Sequence, residues 1–189
     1  MEHRMNALYL DFDGPLHPNA ASIDPSGAIF LREPFQYHEL FEHAPILDEI
    51  IGNAQNLQII ISSTWAMEFG LKECIRRLPE RIGSRVAGAT WCKETIAQLG
   101  HECVDLDSKQ LRNEWRRNSR HEQISAHAKA FGITNWLALD DQDARWPEAE
   151  RGRLVLCDER DGLSRKLTQA ELSRALAKLA TKELADAQA

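Results

Sequence analysis

The sequence lacks paired cysteines and long apolar runs, and each absence argues against a class of protein. Its four cysteines, Cys74, Cys92, Cys103 and Cys157, form no CxxC pair and have no histidine at the spacing of a zinc site. Reduced thiols in a cytoplasmic protein are the simplest explanation. No apolar segment approaches the roughly 20 residues that a membrane span requires. Residues 1–4 lead directly into an apolar run, so we expect no signal peptide and no membrane partner.

Positive charge is also scarce. The formal net charge of -6 argues against a protein that coats nucleic acids, although a local basic groove stays compatible with it. The 189 residues are 43% hydrophobic and 28% charged, which is ordinary for a globular protein with a proper core. We find no internal repeat and no low-complexity linker. The sequence therefore predicts one domain over residues 1–189.

Short apolar runs alternate along the chain with segments of helical spacing. This alternation predicts an α/β fold with a Rossmann-like parallel sheet and helices on both faces. The predicted strands are 8–10, Leu57–Ile61, 85–90, 136–139 and 153–157. The predicted helices are 45–51, 65–77, one with its face at Ile124, Ala128 and Phe131 before Gly132, and a last one with Leu172, Leu176, Leu179 and Leu184.

Three further segments have a less regular pattern. Residues 14–42 are rich in proline and glycine, which predicts a long loop or small flap over the end of the first strand. Residues 92–118 are polar and read as an insert that could shield one side of a site. Thr168 and Glu171 form a capping-box pattern, which predicts that the last helix begins there.

The first predicted strand ends in two carboxylates. Asp11 and Asp13 follow residues 8–10, and Gly14 comes next. Alternation along a strand would point both acids to the same side, at the sheet edge where open α/β folds bind ligands. Like charges this close repel unless a cation lies between them, and Mg²⁺ prefers such oxygen ligands. A solvated Asp-rich turn is the alternative interpretation.

Hydroxyl groups and a second acidic pair follow two other predicted strands. Ser62, Ser63 and Thr64 come after Leu57–Ile61, where hydroxyls and backbone N–H groups suit phosphate oxygens, although helix capping explains the same residues. Asp140 and Asp141 follow residues 136–139, with Asp143 two residues further on. If the two acidic strands are neighbours, four carboxylates converge and need a metal at neutral pH. A solvated acidic turn is again the alternative.

Basic residues lie between these acidic and hydroxyl groups. Arg120, at the predicted start of a helix, offers planar and permanently charged donors to a phosphate. Lys109, Arg116 and Arg117 are alternatives for the same role, and each is equally compatible with a solvated surface.

Taken in order, these residues resemble the four motifs of the haloacid dehalogenase (HAD) superfamily of phosphatases. Residues 11–16 are similar to the first motif, residues 59–63 to the second and residues 137–141 to the fourth. The third motif supplies a lysine or sometimes an arginine, and Arg120 fills it best. The resemblance covers residue 7 to about 143, and the spacing is most similar to a compact branch found also in RNA-repair proteins.

The resemblance implies a Mg²⁺-dependent phosphomonoester hydrolase with an aspartyl-phosphate intermediate and a minimal cap. It implies that Asp11 is the nucleophile and Asp13 the acid/base. The hydroxyl that binds the phosphoryl group is that of Ser63, with Ser62 as the alternative register. The implied phosphate-binding set is Ser62, Ser63, Thr64 and Arg120, and the implied metal ligands are Asp11, Asp13, Asp140 and Asp141.

The substrate stays open between a phosphorylated small molecule and a nucleic-acid end. The insert after Gly14 is at most about 30 residues, which is too short for a full helical cap, so bulky substrates could reach the site. Arg112, Trp115, Arg116 and Arg117 interleave basic and aromatic residues as a nucleic-acid contact does, but a solvated helix face with one core tryptophan has the same pattern.

Other classes of protein compete with the phosphatase. A response-regulator receiver is also phosphorylated on an aspartate. It carries an acid pair at its first strand and the acceptor aspartate at its third, whereas this chain has the reverse emphasis. A non-catalytic metal- or phosphate-binding module would be expected to lack one of the acids. A two-metal nuclease leaves Ser63 and Arg120 without a role. The sequence does not decide the oligomeric state, or whether Trp65 and Trp146 line the site or pack in the core.

Overall fold

A computed structural model describes residues 6–52, 54, 56–101 and 105–187, the last six of them by their backbone alone. Its strands, in chain order, are β1 (Asn6–Leu10), β2 (Ala21–Ile23), β3 (Ile29–Leu31), β4 (Leu57–Ile61), β5 (Val86–Ala89), β6 (Asn135–Asp140) and β7 (Leu154–Leu156). Five of them form a parallel sheet in the order β5-β4-β1-β6-β7. The predicted α/β fold with a Rossmann-like parallel sheet is confirmed.

Helices connect the strands and cover both faces of the sheet. They are α1 (Ala44–Ile51), α2 (Thr64–Phe69), α3 (Leu71–Arg76), α4 (Glu80–Gly83), α5 (Lys93–Gln98), α6 (Lys109–Arg117), α7 (Arg120–Ala130) and α8 (Lys166–Ala187), with 3₁₀ turns at Glu148–Arg153 and Gly162–Ser164. Within the described residues, no helix is long and apolar enough to cross a membrane. Cys74, Cys92 and Cys157 are free and buried, whereas Cys103 lies outside the described residues.

The central strand β1 is buried along its whole length, which explains its continuous apolar sequence. Leu8 and Leu10 point into a core formed with α1 and α8, where Leu172 of α8 is fully buried. Tyr9 points to the other face, into a core that includes Ile124 of α7. Both faces of the sheet are therefore covered, as the alternation of elements predicted.

The register of the central strands aligns the polar residues that follow them. Leu10 is paired with Ile61 of β4 on one side and with Leu139 of β6 on the other. The next residues, which are Asp11, Ser62 and Asp140, consequently stand side by side at one edge of the sheet. Parallel pairing thus brings three distant segments of the chain to one place.

The segment 14–42, predicted as a long loop or small flap, contains an antiparallel hairpin of β2 and β3 in addition to irregular loops. Other local predictions were wrong. The helix predicted over 65–77 is broken at Gly70, whose φ of 80° and extended ψ end α2 and begin α3. The last helix begins at Lys166, so Thr168 lies inside it and does not cap it. Phe131, predicted on the apolar helix face with Ile124 and Ala128, follows the end of α7 and is 44% exposed.

Candidate active site

The acids that follow β1 and β6 form a carboxylate cluster. One oxygen each from Asp11, Asp140 and Asp141 lies within 4.8 Å of the others. Asp11 and Asp140 are buried, and Asp141 is half-buried. The predicted convergence of the two acidic pairs is therefore observed for three of the four carboxylates.

Arg120 completes this cluster with a buried positive charge. Its Nη2 donates to Asp11 Oδ2 at 3.0 Å, and its Nε lies 2.8 Å from Asp140 Oδ2 in an ion pair without hydrogen-bond geometry. Its Nη1 donates to Gln123 Oε1 at 3.3 Å, and Gln123 in turn donates to the backbone carbonyl of Trp115. Arg120 is the first residue of α7, where Ser119 and Glu122 form a capping box that fixes the start of the helix. A local signal in the sequence thus places the arginine at the cluster.

The electrostatics of the cluster leave it short of positive charge. Burial raises the pKa of Asp11 and of Asp140, although Arg120 opposes the rise. Burial and the neighbouring Asp11 raise the pKa of Asp141 to about 6. Burial alone would lower the pKa of Arg120, but the carboxylates of Asp11 and Asp140 outweigh it and raise that pKa. One guanidinium does not offset three carboxylates.

The same residues fit a divalent cation. Asp140 Oδ2, which is ion-paired with Arg120, and Asp141 Oδ1 are buried and accept no hydrogen bond from the described residues. Such atoms are costly unless another group satisfies them. Carboxylate oxygens are the ligands that Mg²⁺ prefers. The Asp13 carboxylate is not a member of this group among the described residues. Its assignment as a metal ligand stays a prediction.

The Asp13 carboxylate contacts two side chains outside the carboxylate cluster. Trp65 Nε1 donates to Asp13 Oδ2 at 2.8 Å, and His17 Nε2 lies 3.2 Å from Asp13 Oδ1. The backbone N–H of Phe41 donates to His17 Nδ1, so that nitrogen carries no proton. The other ring nitrogen, Nε2, is then the donor to Asp13. Both oxygens of Asp13 are oriented by ring N–H groups.

The hydroxyl residues after β4 occupy different environments. Ser63 caps α2 by accepting from the Trp65 N–H, and its hydroxyl opposes the rise in the pKa of Asp11. Ser63 and the exposed Thr64 line a cavity of about 270 Å³ that Arg120 also lines. Ser62 is fully buried and its Oγ has no partner among the described residues. This geometry supports the Ser63 register over the Ser62 register.

A glycine allows the two acidic loops to approach each other. Gly14 has a φ of 86°, and a Cβ at this position would lie 2.6 Å from the Cβ of Asp141. On the opposite side, Asn19 donates to Asp141 Oδ2 at 2.6 Å. Asp141 is thus packed against the first motif as well as the rest of the cluster.

The other basic candidates lie away from the carboxylates. Arg116 is half-exposed and pairs with Glu68, which also accepts from Arg112. Lys109 begins α6 and is exposed, and Arg117 is exposed at its end. Of the four basic residues considered, Arg120 is the one that contacts the cluster.

The sequence interpretation missed His17, Asn19 and Gln123 and left Trp65 undecided. Asn19 and Trp65 act through hydrogen bonds that span 122 and 52 positions of sequence, which leave no periodic signal. His17 and Gln123 contact residues four and three positions away, but a single polar contact of this kind has no distinctive sequence pattern. His17 and Asn19 were signalled weakly, because they lie within a few residues of Asp11 and Asp13. Trp146, the other undecided tryptophan, packs against Trp136 and donates to the Glu150 carbonyl, so it belongs to the core.

A comparison with protein families matches residues 7–167 to the family described as the HAD domain in Swiss Army Knife RNA repair proteins. The chain belongs to this family. The matched span contains every residue of the carboxylate cluster as well as Arg120, Ser63 and Asp13. The resemblance inferred from the motifs is therefore confirmed, and the protein is a HAD domain of the hydrolase type. No curated protein and no solved structure was found to be similar to this HAD domain.

Proposed function

We propose that this HAD domain hydrolyses phosphomonoesters with the aid of Mg²⁺, through a phosphorylated Asp11. The observation that carries the proposal is the contact of buried Arg120 with Asp11, inside a group of three carboxylates. The contact places a permanent positive charge where phosphoryl oxygens on Asp11 would lie, which a two-metal nuclease would not require. Asp11, Asp13 and Asp141 are all present, which argues against a module without activity.

The first chemical step forms the acyl phosphate. A carboxylate oxygen of Asp11 attacks phosphorus, the bond from phosphorus to the leaving oxygen breaks, and Asp13 gives that oxygen its proton. Ser63 and Arg120 donate to the phosphoryl oxygens, whose charge must be stabilised in the transition state. Asp13 is oriented for its role by Trp65 and His17.

The second step regenerates the enzyme. Asp13, now ionised, takes a proton from water, the water oxygen attacks the acyl phosphate, and Asp11 and inorganic phosphate are released. Asp11, Asp140 and Asp141 would hold Mg²⁺, which when bound neutralises charge on the phosphoryl group. The raised pKa values of these acids agree with a site whose positive charge is completed by a cation.

The direct test is the hydrolysis of p-nitrophenyl phosphate with Mg²⁺ and with a chelator. Asp11→Asn should lower kcat by about 10³-fold or more, because it removes the nucleophile. Asp143→Asn is the matched control, since Asp143 lies on the same loop as the cluster but pairs with Arg151 outside it. Hydrolysis that survives Asp11→Asn, or that does not require the metal, would refute the proposed mechanism.

A polynucleotide end is a second candidate substrate. The matched family is described by its occurrence in RNA repair proteins, and Arg116 of α6 lines the cavity next to Arg120, with Arg112 bound to the same Glu68 as Arg116. Release of inorganic phosphate from terminally phosphorylated oligonucleotides, compared with the free mononucleotide, tests this candidate. Equal or lower kcat/KM on the oligonucleotides would count against it.

A further inference from the structure

The cavity that opens beside Ser63 and Arg120 has an unusual charge for this protein. It is lined by three arginines, Arg116, Arg120 and Arg145, and among the described residues no carboxylate lines it. The whole chain carries a net charge of -6. Because Arg120 is already paired with Asp11 and Asp140, Arg116 and Arg145 are the arginines of this lining whose charge lies outside the carboxylate cluster.

Acidic neighbours offset this charge only in part. Glu68 accepts from both Arg112 and Arg116, so one carboxylate serves two guanidinium groups. Glu122 lies 3.4 Å from Arg145, but it also accepts the Ser119 N–H that closes the capping box. Arg120 is neutralised by Asp11 and Asp140, so at the mouth the guanidinium groups of Arg112, Arg116 and Arg145 face two carboxylates, which leaves one positive charge in excess.

Arg145 is held at the mouth by its backbone and by a neighbouring carbonyl. Its φ of 58° lies in the left-handed region, which is unfavourable for a residue with a Cβ and is found more often at functional sites. Its Nη2 donates to the Arg117 carbonyl at 2.7 Å. The side chains of Arg145 and Arg116 are 60% and 48% exposed, so donors stay accessible to a ligand.

The aromatic residues of the cavity do not offer a surface for stacking. Trp91 and Trp115 are 2% and 7% exposed, and their rings pack against each other at 5.7 Å. The two rings are part of the packed side of the cavity, so recognition of a ligand there depends on charge. A planar base would find no open aromatic face here.

We propose that the cavity binds a second anionic group of the substrate, a phosphate or a phosphodiester, through Arg116 and Arg145. The inference rests on the proposed phosphatase activity, since Ser63 and Arg120 join the cavity to the phosphoryl site. The preferred substrates are then phosphomonoesters whose organic part carries a second phosphate charge. Either a small bisphosphate or the end of a nucleic acid would supply it.

The test compares substrates with one and two anionic groups. We would measure kcat/KM for a nucleoside 3′-phosphate, for the nucleoside 3′,5′-bisphosphate and for a 3′-phosphorylated dinucleotide. The second anionic group should raise kcat/KM about 10- to 100-fold, as expected for one or two hydrogen bonds between charged groups, and high salt should reduce the gain. A larger gain for the bisphosphate identifies a free phosphate as the ligand, and a larger gain for the dinucleotide identifies a phosphodiester.

Variants assign the gain to the two arginines. Arg116→Gln with Arg145→Gln should remove most of it, whereas Arg174→Gln, in a separate cavity beside α8, should leave it unchanged. Glu68→Gln with Glu122→Gln should increase the gain, and these variants serve if the arginine variants do not fold. A wild-type protein that hydrolyses all three substrates with equal kcat/KM, or a gain that survives the double arginine variant, overturns the inference. Failure to hydrolyse any phosphomonoester would refute the proposed function instead.

Discussion

Replacing Trp65 by phenylalanine removes one of the two hydrogen bonds that orient Asp13, and the effect should depend on the leaving group of the substrate. The indole Nε1 lies 2.8 Å from Asp13 Oδ2, and the side chain is 3% exposed. A hydrogen bond to a charged group is worth about 1.5–3 kcal/mol. If that energy holds Asp13 in place for proton transfer, its loss slows protonation of the leaving oxygen about 10- to 100-fold.

The assay compares kcat/KM for two phosphate esters that differ in their need for a proton. An alkyl ester such as glycerol phosphate has a strongly basic leaving group and depends on Asp13, whereas p-nitrophenolate leaves without protonation. Trp65→Phe should therefore lower kcat/KM for the alkyl ester by the full factor and that for p-nitrophenyl phosphate by only about two- to threefold. The parameter kcat/KM is suitable because it reports the loss of transition-state stabilisation relative to free enzyme and substrate.

Trp146→Phe is a matched control for the packing defect. Trp146 is 6% exposed and, like Trp65, donates its indole N–H to a partly buried residue, here through the Glu150 carbonyl 3.0 Å away. Both variants should lower the free energy of unfolding by on the order of 1–3 kcal/mol. Only Trp65→Phe should make the loss of activity depend on the leaving group. An equal loss on both esters would refute the assignment of Trp65 as a positioning residue for Asp13.

Two further predictions concern the carboxylate cluster. Because the pKa of Asp141 is raised from 3.8 to about 6 and those of Asp11 and Asp140 are also raised, the folded state binds more protons than the unfolded chain between these values. Without divalent metal, the Tm should therefore fall as pH rises from about 4 to about 7. Saturating Mg²⁺ should raise the Tm by about 5–10 °C at pH ~8 and far less at pH ~5. A metal effect independent of pH would contradict the assignment of these carboxylates as the metal ligands. Gly14→Ala should lower the free energy of unfolding, measured in urea, by at least about 2 kcal/mol more than Gly27→Ala. Both glycines have a φ of 86°, but only Gly14 faces Asp141. Equal losses would show that the close approach of Gly14 to Asp141 is unimportant.

The sequence predicts the sheet well because the strands are buried on both faces. β4 was predicted to the residue, and β1 and β6 within two residues, since continuous apolar runs of this length have few other structures available. The acids and hydroxyls at their ends then converge because parallel pairing aligns the carboxyl ends of neighbouring strands. Arg120 was predicted at the start of a helix, and in the structure the capping box of Ser119 and Glu122 sets that start.

The remaining features depend on contacts that have no local pattern. The hairpin strands β2 and β3 have three residues each. They are too short to show an alternation of apolar and polar residues among the prolines and glycines of this segment. Trp65 reaches Asp13 across 52 positions of sequence, and Asn19 reaches Asp141 across 122. Such pairs follow from the packed arrangement of the loops, so only the structure identifies which tryptophan serves the site and which serves the core.

The charges of the cluster explain why the acids and the arginine occur together. When they are all ionised, Asp11, Asp140, Asp141 and Arg120 leave two negative charges among them, which one divalent cation at the carboxylates would cancel. In the resting structure Arg120 offsets part of the repulsion between Asp11 and Asp140. In the proposed reaction the incoming phosphoryl oxygens would compete with those carboxylates for the same guanidinium donors. Gln123 does not change its charge on binding, so its contact with Nη1 would keep Arg120 in place while the other donors move from acid to phosphate.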